Sequence, residues 1–127
     1  MASKEMKSGV KYVGTIAPQA ASGDVIGDAV DTKEFEAVTL VAYGDGTAVG
    51  TIKIQESDAA GSGFADAAAG DVYGTQDRAL DGSNTVVTLA YIGHKRYVRG
   101  VFTHTTNGDV AVVFGLGLPR LEPVSGN

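Results

Sequence analysis

Two histidines, a basic pentapeptide and a string of aspartates are the residues of this sequence whose types could do chemistry. His94 sits in Gly93-His94-Lys95-Arg96, and His104 follows ten residues later. A general base needs an oriented partner within hydrogen-bond reach, and a zinc site needs three or four ligands. Ten residues along one strand put the two rings near its opposite ends, so the spacing favours turn or surface histidines. Asp66, Asp71, Asp77 and Asp81 offer the oxygen ligands that Ca²⁺ takes, but not at the spacing of a calcium loop. A solvated acidic loop is the simpler reading. Gly61-Ser62-Gly63 is not a nucleophile elbow. Gly115-Leu116-Gly117-Leu118-Pro119 lies inside a strand and runs into proline, not a helix N-terminus, so it is no phosphate cradle. Cysteine is absent, which removes disulfides, thiolate metal sites and cysteine nucleophiles. The sequence therefore names no catalytic residue, no cofactor and no metal ligand.

Lys95-Arg96-Tyr97-Val98-Arg99 is the densest basic segment. On a regular strand Arg96 and Arg99 turn to opposite faces and cannot form one flat patch. A nucleic-acid site needs more basic residues and a stacking platform. The net charge of −5 also argues against nucleic acid as a partner. The charge is uneven. Residues 20–81 hold twelve acidic and three basic side chains, a net −9, while residues 1–19 and 82–127 are each +2. Salt bridges from the basic segment to the acidic stretch, within or between subunits, are expected.

The elements that must position these groups are strands. The 127 residues are 43% hydrophobic and 20% charged, which fits one globular domain with its own core. No apolar run approaches the ~20 residues of a membrane-spanning helix, so no membrane partner is expected. The first seven residues are charged with no apolar segment behind them, so no secretory signal is expected either. The 18 glycines fall in short punctuations such as Gly44-Asp45-Gly46 and Asn107-Gly108-Asp109, which mark turns between short strands.

Residues 1–9 read as a flexible N-terminal arm. Strands are expected over 11–16 and 25–30, with a loop at 18–23. Residues 35–43 are apolar on both faces, the pattern of a central strand covered twice. A hairpin turn at 44–47 leads to a half-buried strand over 51–56, with Ile52 and Ile54 inward. Residues 57–81 lack a period and read as a long irregular connection. Strands follow over 86–92, 96–103 and 110–118, the last two joined by a hairpin at 105–108. On the last strand Ala111, Val113, Gly115 and Gly117 share one face, small enough to let another sheet or a neighbouring subunit approach closely. The sum is an all-β, jelly-roll-like antiparallel β-sandwich over residues 10–123, with the arm before it and a short tail over 124–127.

Four segments occur in order: Asp31-Thr32-Lys33-Glu34-Phe35-Glu36-Ala37-Val38, Gln55-Glu56-Ser57-Asp58, Tyr91-Ile92-Gly93-His94-Lys95-Arg96-Tyr97-Val98-Arg99 and Leu118-Pro119-Arg120. Over residues 10–123 the series resembles a family of small tailed-bacteriophage virion proteins encoded among the head genes. The resemblance implies a non-enzymatic capsid decoration (cement) protein on the outside of the head. It also implies a homotrimer whose partner is the major capsid protein. The expected localisation is the virion, after assembly in the host cytoplasm. A weaker likeness joins Glu56-Ser57-Asp58, Phe64-Ala65-Asp66 and the basic segment to discoidin-type galactose-binding jelly rolls, which carry tryptophan where Phe64 stands.

On this reading Lys4, Lys7, Lys11 and Tyr12 of the arm and its junction, with Arg96 and Arg99 of the basic strand, are the expected contact residues. A head–tail junction or tail structural protein is the alternative within the same particle. A carbohydrate-binding module aiding adsorption is the alternative outside it.

Overall fold

A computed structural model describes residues 9–119. Lys4 and Lys7, the arm over residues 1–8 and the tail over 124–127 lie outside the described residues. Among the described residues there are eleven strands. These are β1 (Val10–Ala21), β2 (Val25–Ile26), β3 (Val30–Asp31), β4 (Phe35–Gly44), β5 (Val49–Ser57), β6 (Ala65–Asp66), β7 (Val72–Tyr73), β8 (Arg78–Leu80), β9 (Val86–Tyr91), β10 (Tyr97–Thr106) and β11 (Gly108–Pro119). They form two antiparallel sheets. Sheet A runs β1-β11-β4-β9-β7. Sheet B runs β2-β10-β5-β6, with β3 also on β10 and β8 also on β5.

The period of two builds the layers. Leu89, Leu40, Phe114 and Val13 lie abreast across β9, β4, β11 and β1, and Val87, Ala42, Val112 and Ile16 make the next row. Val98 and Phe102 of β10 and Ile52 and Ile54 of β5 are fully buried in the same core. Each such side chain contributes about 1.5–3 kcal/mol by leaving water. The layers approach closely at Gly100 on β10. A Cβ there would come 3.1 Å from Val112 and 3.2 Å from Leu40, both of sheet A.

Several expected boundaries move. The first strand does not stop at residue 16 but runs through Pro18 to Ala21. Its register on β11 shifts between Gly14 and Ile16 and again between Ile16 and Gln19. β1 is an edge strand with bulges, the setting in which proline is tolerated. The single strand expected over 25–30 is two short ones, broken by Gly27. There the chain crosses against β10: Gly27 N–H donates to the Gly100 carbonyl (2.8 Å), and Asp28 N–H to the Thr15 carbonyl (2.6 Å). The buried Thr15 hydroxyl donates to the Asp28 carbonyl (2.7 Å) and accepts from Gly100 N–H (3.1 Å). A Cβ at Gly27 would overlap both Thr15 Oγ1 and the Gly100 oxygen, so only glycine fits this crossing.

Neither expected hairpin exists. β4 and β5 belong to different sheets, as do β10 and β11. Residues 44–47 and 105–108 are corners that carry the chain from one layer to the other. Asp45 joins them. Its Oδ1 accepts from Thr47 N–H (2.9 Å), the Thr47 hydroxyl (2.8 Å) and Ala48 N–H (3.0 Å), and its Oδ2 accepts from Asp109 N–H (3.0 Å). The Asp109 amide first, then the Thr47 hydroxyl and amide, hold this carboxyl far below the ordinary carboxylate range.

The segment over 57–81 is not an irregular connection. It folds onto the edges of both sheets as β6, a 3₁₀ turn (Ala69–Asp71), β7 and β8. β6 pairs with Gln55 and Glu56, and β8 with residues 50–52, which leaves Ile54 between them on β5. The Gln76 side-chain amide fills that gap. Its Oε1 accepts from Ile54 N–H (2.9 Å), and its Nε2 donates to the carbonyls of Ile54 (2.9 Å) and Ala67 (3.0 Å). A side chain thus stands in for a strand residue.

Gln76→Ala leaves the Ile54 N–H without its partner, while the Ile54 carbonyl keeps the Ala67 N–H (3.1 Å). The change is expected to cost about 1–3 kcal/mol in urea unfolding, with the Ile54 amide exchanging faster than its neighbours. Asp45→Asn tests the corners by pH. A depressed carboxyl stabilises the fold fully above its unfolded value of 3.8, and that contribution fades as the pH falls towards the folded value. The gap in urea midpoint between the parent and D45N should be constant from about pH 5 to 7 and shrink below about pH 4.

Candidate functional site

The outward face of sheet A is the feature that sets this molecule apart. One row crosses all five strands: Tyr12, Gly115, Thr39, Ala90 and Tyr73 on β1, β11, β4, β9 and β7. Gly14, Val113, Val41 and Thr88 form the row on one side of it, and Ala111, Tyr43 and Val86 the row beyond. On the other side lie Val10, Gly117 and Ala37. No side chain in these four rows carries a charge. Lys11 is not an exception, because its place opposite Leu116 turns it to the inward side of the sheet. Asp45 and Asp109 stand at the rim, where β4 ends and β11 begins.

The face is open as well as uncharged. Tyr73 is 78% exposed, Tyr43 54%, Val86 53% and Val113 37%. The expectation that the 35–43 strand is covered twice is not met among the described residues. β4 is central, between β11 and β9, but these residues cover its inner face alone.

The outward face of sheet B is the opposite case. Lys53, Gln55 and Arg99 line it, and they are paired. Lys53 Nζ lies 3.1 Å from an Asp66 carboxylate oxygen. Gln55 donates to Asp66 (3.0 Å) and accepts from Arg99 Nε (2.8 Å). The Arg99 guanidinium also lies over the Phe64 ring, 4.2 Å from its centroid. Hydrogen bonds from Gln55 and then Lys53 hold the Asp66 carboxyl below its ordinary value.

The expected contact residues are thus distributed. Arg96 forms a bidentate pair with Asp31, with Nε to Oδ1 at 2.9 Å and Nη2 to Oδ2 at 2.7 Å. This pair, more than any other neighbour, lowers the Asp31 carboxyl. Lys95 Nζ meets Asp58 at 2.8 Å. The expected salt bridges to the acidic stretch are present, and they run within the chain. Arg96 and Arg99 are committed to partners at hand. Among the described residues Tyr12 is the one expected contact that the fold brings to the uncharged face. Tyr43, Tyr73, Val86 and Val113 were not singled out as contacts. The small-residue side of the 110–118 strand was their only signal.

The groups with chemical potential do not converge. His94 lines a cleft of about 570 Å³ at one end of the sandwich, with Lys33, Glu34, Glu36, Ile92 and Lys95. Its cations and carboxylates are mixed. Tyr91, at its floor, donates to Glu56 (2.7 Å) and accepts from Lys95 N–H (2.9 Å). Burial, then the Glu56 carboxylate, push the Tyr91 hydroxyl well above its ordinary value. His104 is near the far end of β10, its Nε2 2.6 Å from Asn107 Oδ1. The aspartates of the 57–81 segment are dispersed. Asp66 is in the sheet B network, and Asp81 caps its own turn by accepting from the N–H groups of Ser83 and Asn84. Among the described residues no group of three or more His, Cys, Asp or Glu is placed to hold a metal ion.

No family model, no curated protein and no solved structure matches this chain.

Because Arg99 is packed and hydrogen-bonded, Arg99→Ala is expected to lower stability by about 1–2 kcal/mol in urea unfolding. A purely solvated cation would leave the unfolding midpoint unchanged.

Proposed function

We propose that this chain is a non-catalytic structural protein of a virus particle: a capsid decoration (cement) protein of a tailed bacteriophage. It binds the outside of the head and stabilises contacts between major capsid subunits. The observation that carries the structural role is the uncharged face of sheet A. Its four rows fill fifteen of the twenty positions of a rectangle of about 24 Å by 23 Å, on the order of 400 Å². That is within the size range of the largest patches on free monomers, which are themselves often functional. The assignment to a phage head rests on the sequence resemblance.

Two features of the fold support the reading. With the short strands grouped onto their neighbours, the main strands of sheet A follow the order first, last, third, sixth, and those of sheet B second, seventh, fourth, fifth. That order supports reading the sandwich as a jelly roll, an architecture common in capsids. The first and last strands are also adjacent, with Val10 opposite Gly117. Residues 1–9, which carry Lys4 and Lys7, and residues from Arg120 onward therefore attach at one end of sheet A. Weak contacts from such segments, multiplied over a lattice, are enough to hold a cement protein.

Electron microscopy of purified particles tests the assignment. Density for this chain is expected on the outer shell. Its absence from assembled virions, or a ring at the head–tail junction, would overturn the decoration role. Deleting residues 1–8, which leaves β1 intact, is expected to reduce occupancy and lower the temperature at which heads rupture. Unchanged occupancy would remove Lys4 and Lys7 from the contact.

A further inference from the structure

We infer that the uncharged face of sheet A is covered by a second copy of this chain. The two copies pack face to face about a two-fold axis that lies between the sheets and across their strands. The inference rests on the reading of this face as a docking surface, but not on which particle the chain belongs to.

Shape is the first argument. Along its three middle strands the face is bulky towards one end and small towards the other. Tyr43, Val86 and Val113 stand up from the first half. Ala37, Ala90 and Gly115 floor the second, with Tyr12 and Tyr73 standing at its edges on β1 and β7. A Cβ at Gly115 would meet nothing closer than 3.6 Å, so there is room above it. A two-fold axis across the strands reverses strand direction between the copies. It lays the bulky half of each copy on the small half of the other, and both contacts form at once, as an isologous interface requires.

Charge is the second argument. The chain carries −5 overall, so two copies repel over most approaches. This face presents no charge to its own image, and no ion has to be desolvated when it closes. An acidic partner would find nothing here to pair with, and a basic one only Asp45 and Asp109 at the rim. Area is the third. Two faces of about 400 Å² bury on the order of 800 Å² together, the size of a weak, transient contact. The pair is then expected to be reversible. It differs from the homotrimer that the resemblance implies.

Sedimentation equilibrium of the full chain at about 10–100 μM, where a pair of micromolar affinity is populated, decides the matter. A mass twice that of the chain, falling towards one on dilution, is expected. Val113→Lys and Thr39→Lys put a charge into the face and should weaken association ~10-fold or more. Thr103→Lys, on the outward face of sheet B, should leave it unchanged. A monomer throughout, a trimer, or a pair indifferent to Val113→Lys and Thr39→Lys overturns the inference. The parent's mass decides alone should the face variants not fold. Occupancy on purified particles is measured separately. A monomer that still decorates heads sinks the pair and spares the proposed function, and a pair never found on particles does the reverse.

Discussion

A strand has two faces, and a two-layer sandwich can bury one of them. The long strands among the described residues obey that constraint on their inward side, where Leu40, Phe114, Val112, Ile52 and Phe102 are closed off from water. The outward sides are where the two sheets diverge. Sheet B spends its outward positions on Lys53, Gln55, Arg99 and Asp66, which pair with one another and face solvent without strain. Sheet A places glycine, alanine, valine, threonine and tyrosine there. Nothing in the core requires that choice. A solvent-facing sheet ordinarily alternates apolar with polar or charged residues, so the outward composition of sheet A points to contact with protein, not water.

The strands themselves were legible because pleat and hydrophobic pattern share one period. Ile52 and Ile54 alternate with Thr51, Lys53 and Gln55, and the 110–118 segment alternates just as cleanly. The path between strands was not legible. Gly44-Asp45-Gly46 and Asn107-Gly108 carry strong local turn chemistry, but a turn signal does not say whether the next strand pairs with the last or crosses to the other layer. The decision is made by Asp45, whose carboxylate ties the two corners together across 64 residues of sequence. Gln76 was hidden for a similar reason. One polar residue in an aperiodic stretch gives no sign that its amide will complete a sheet edge.

The candidate site was half legible. The small residues of the last strand marked a surface of close approach, and the apolar outward residues of the 35–43 strand lay in view. Only the strand order shows that these belong to one continuous face with Tyr12, Val86 and Tyr73. The basic segment was legible in kind but not in detail. Its salt bridges to the acidic stretch were expected, but which carboxylate or ring each cation meets was not. Asp31 lies 65 residues from Arg96, and the Phe64 ring over which Arg99 lies belongs to a segment that read as a free loop.

The pairing of β1 with β11 has a consequence for how the molecule is made. The two strands stand almost a full chain length apart in sequence yet lie side by side. Closing so long a loop is slow. On a ribosome, β1 has no neighbour to pair with until the final strand has left the exit tunnel, and β4 lacks one of its flanks for the same interval. Sheet A is therefore completed only after β11 has been translated, and its half-built form exposes β4 along an unpaired edge. Shortening β11 should harm the yield of soluble protein more than an equal loss from the 57–64 segment.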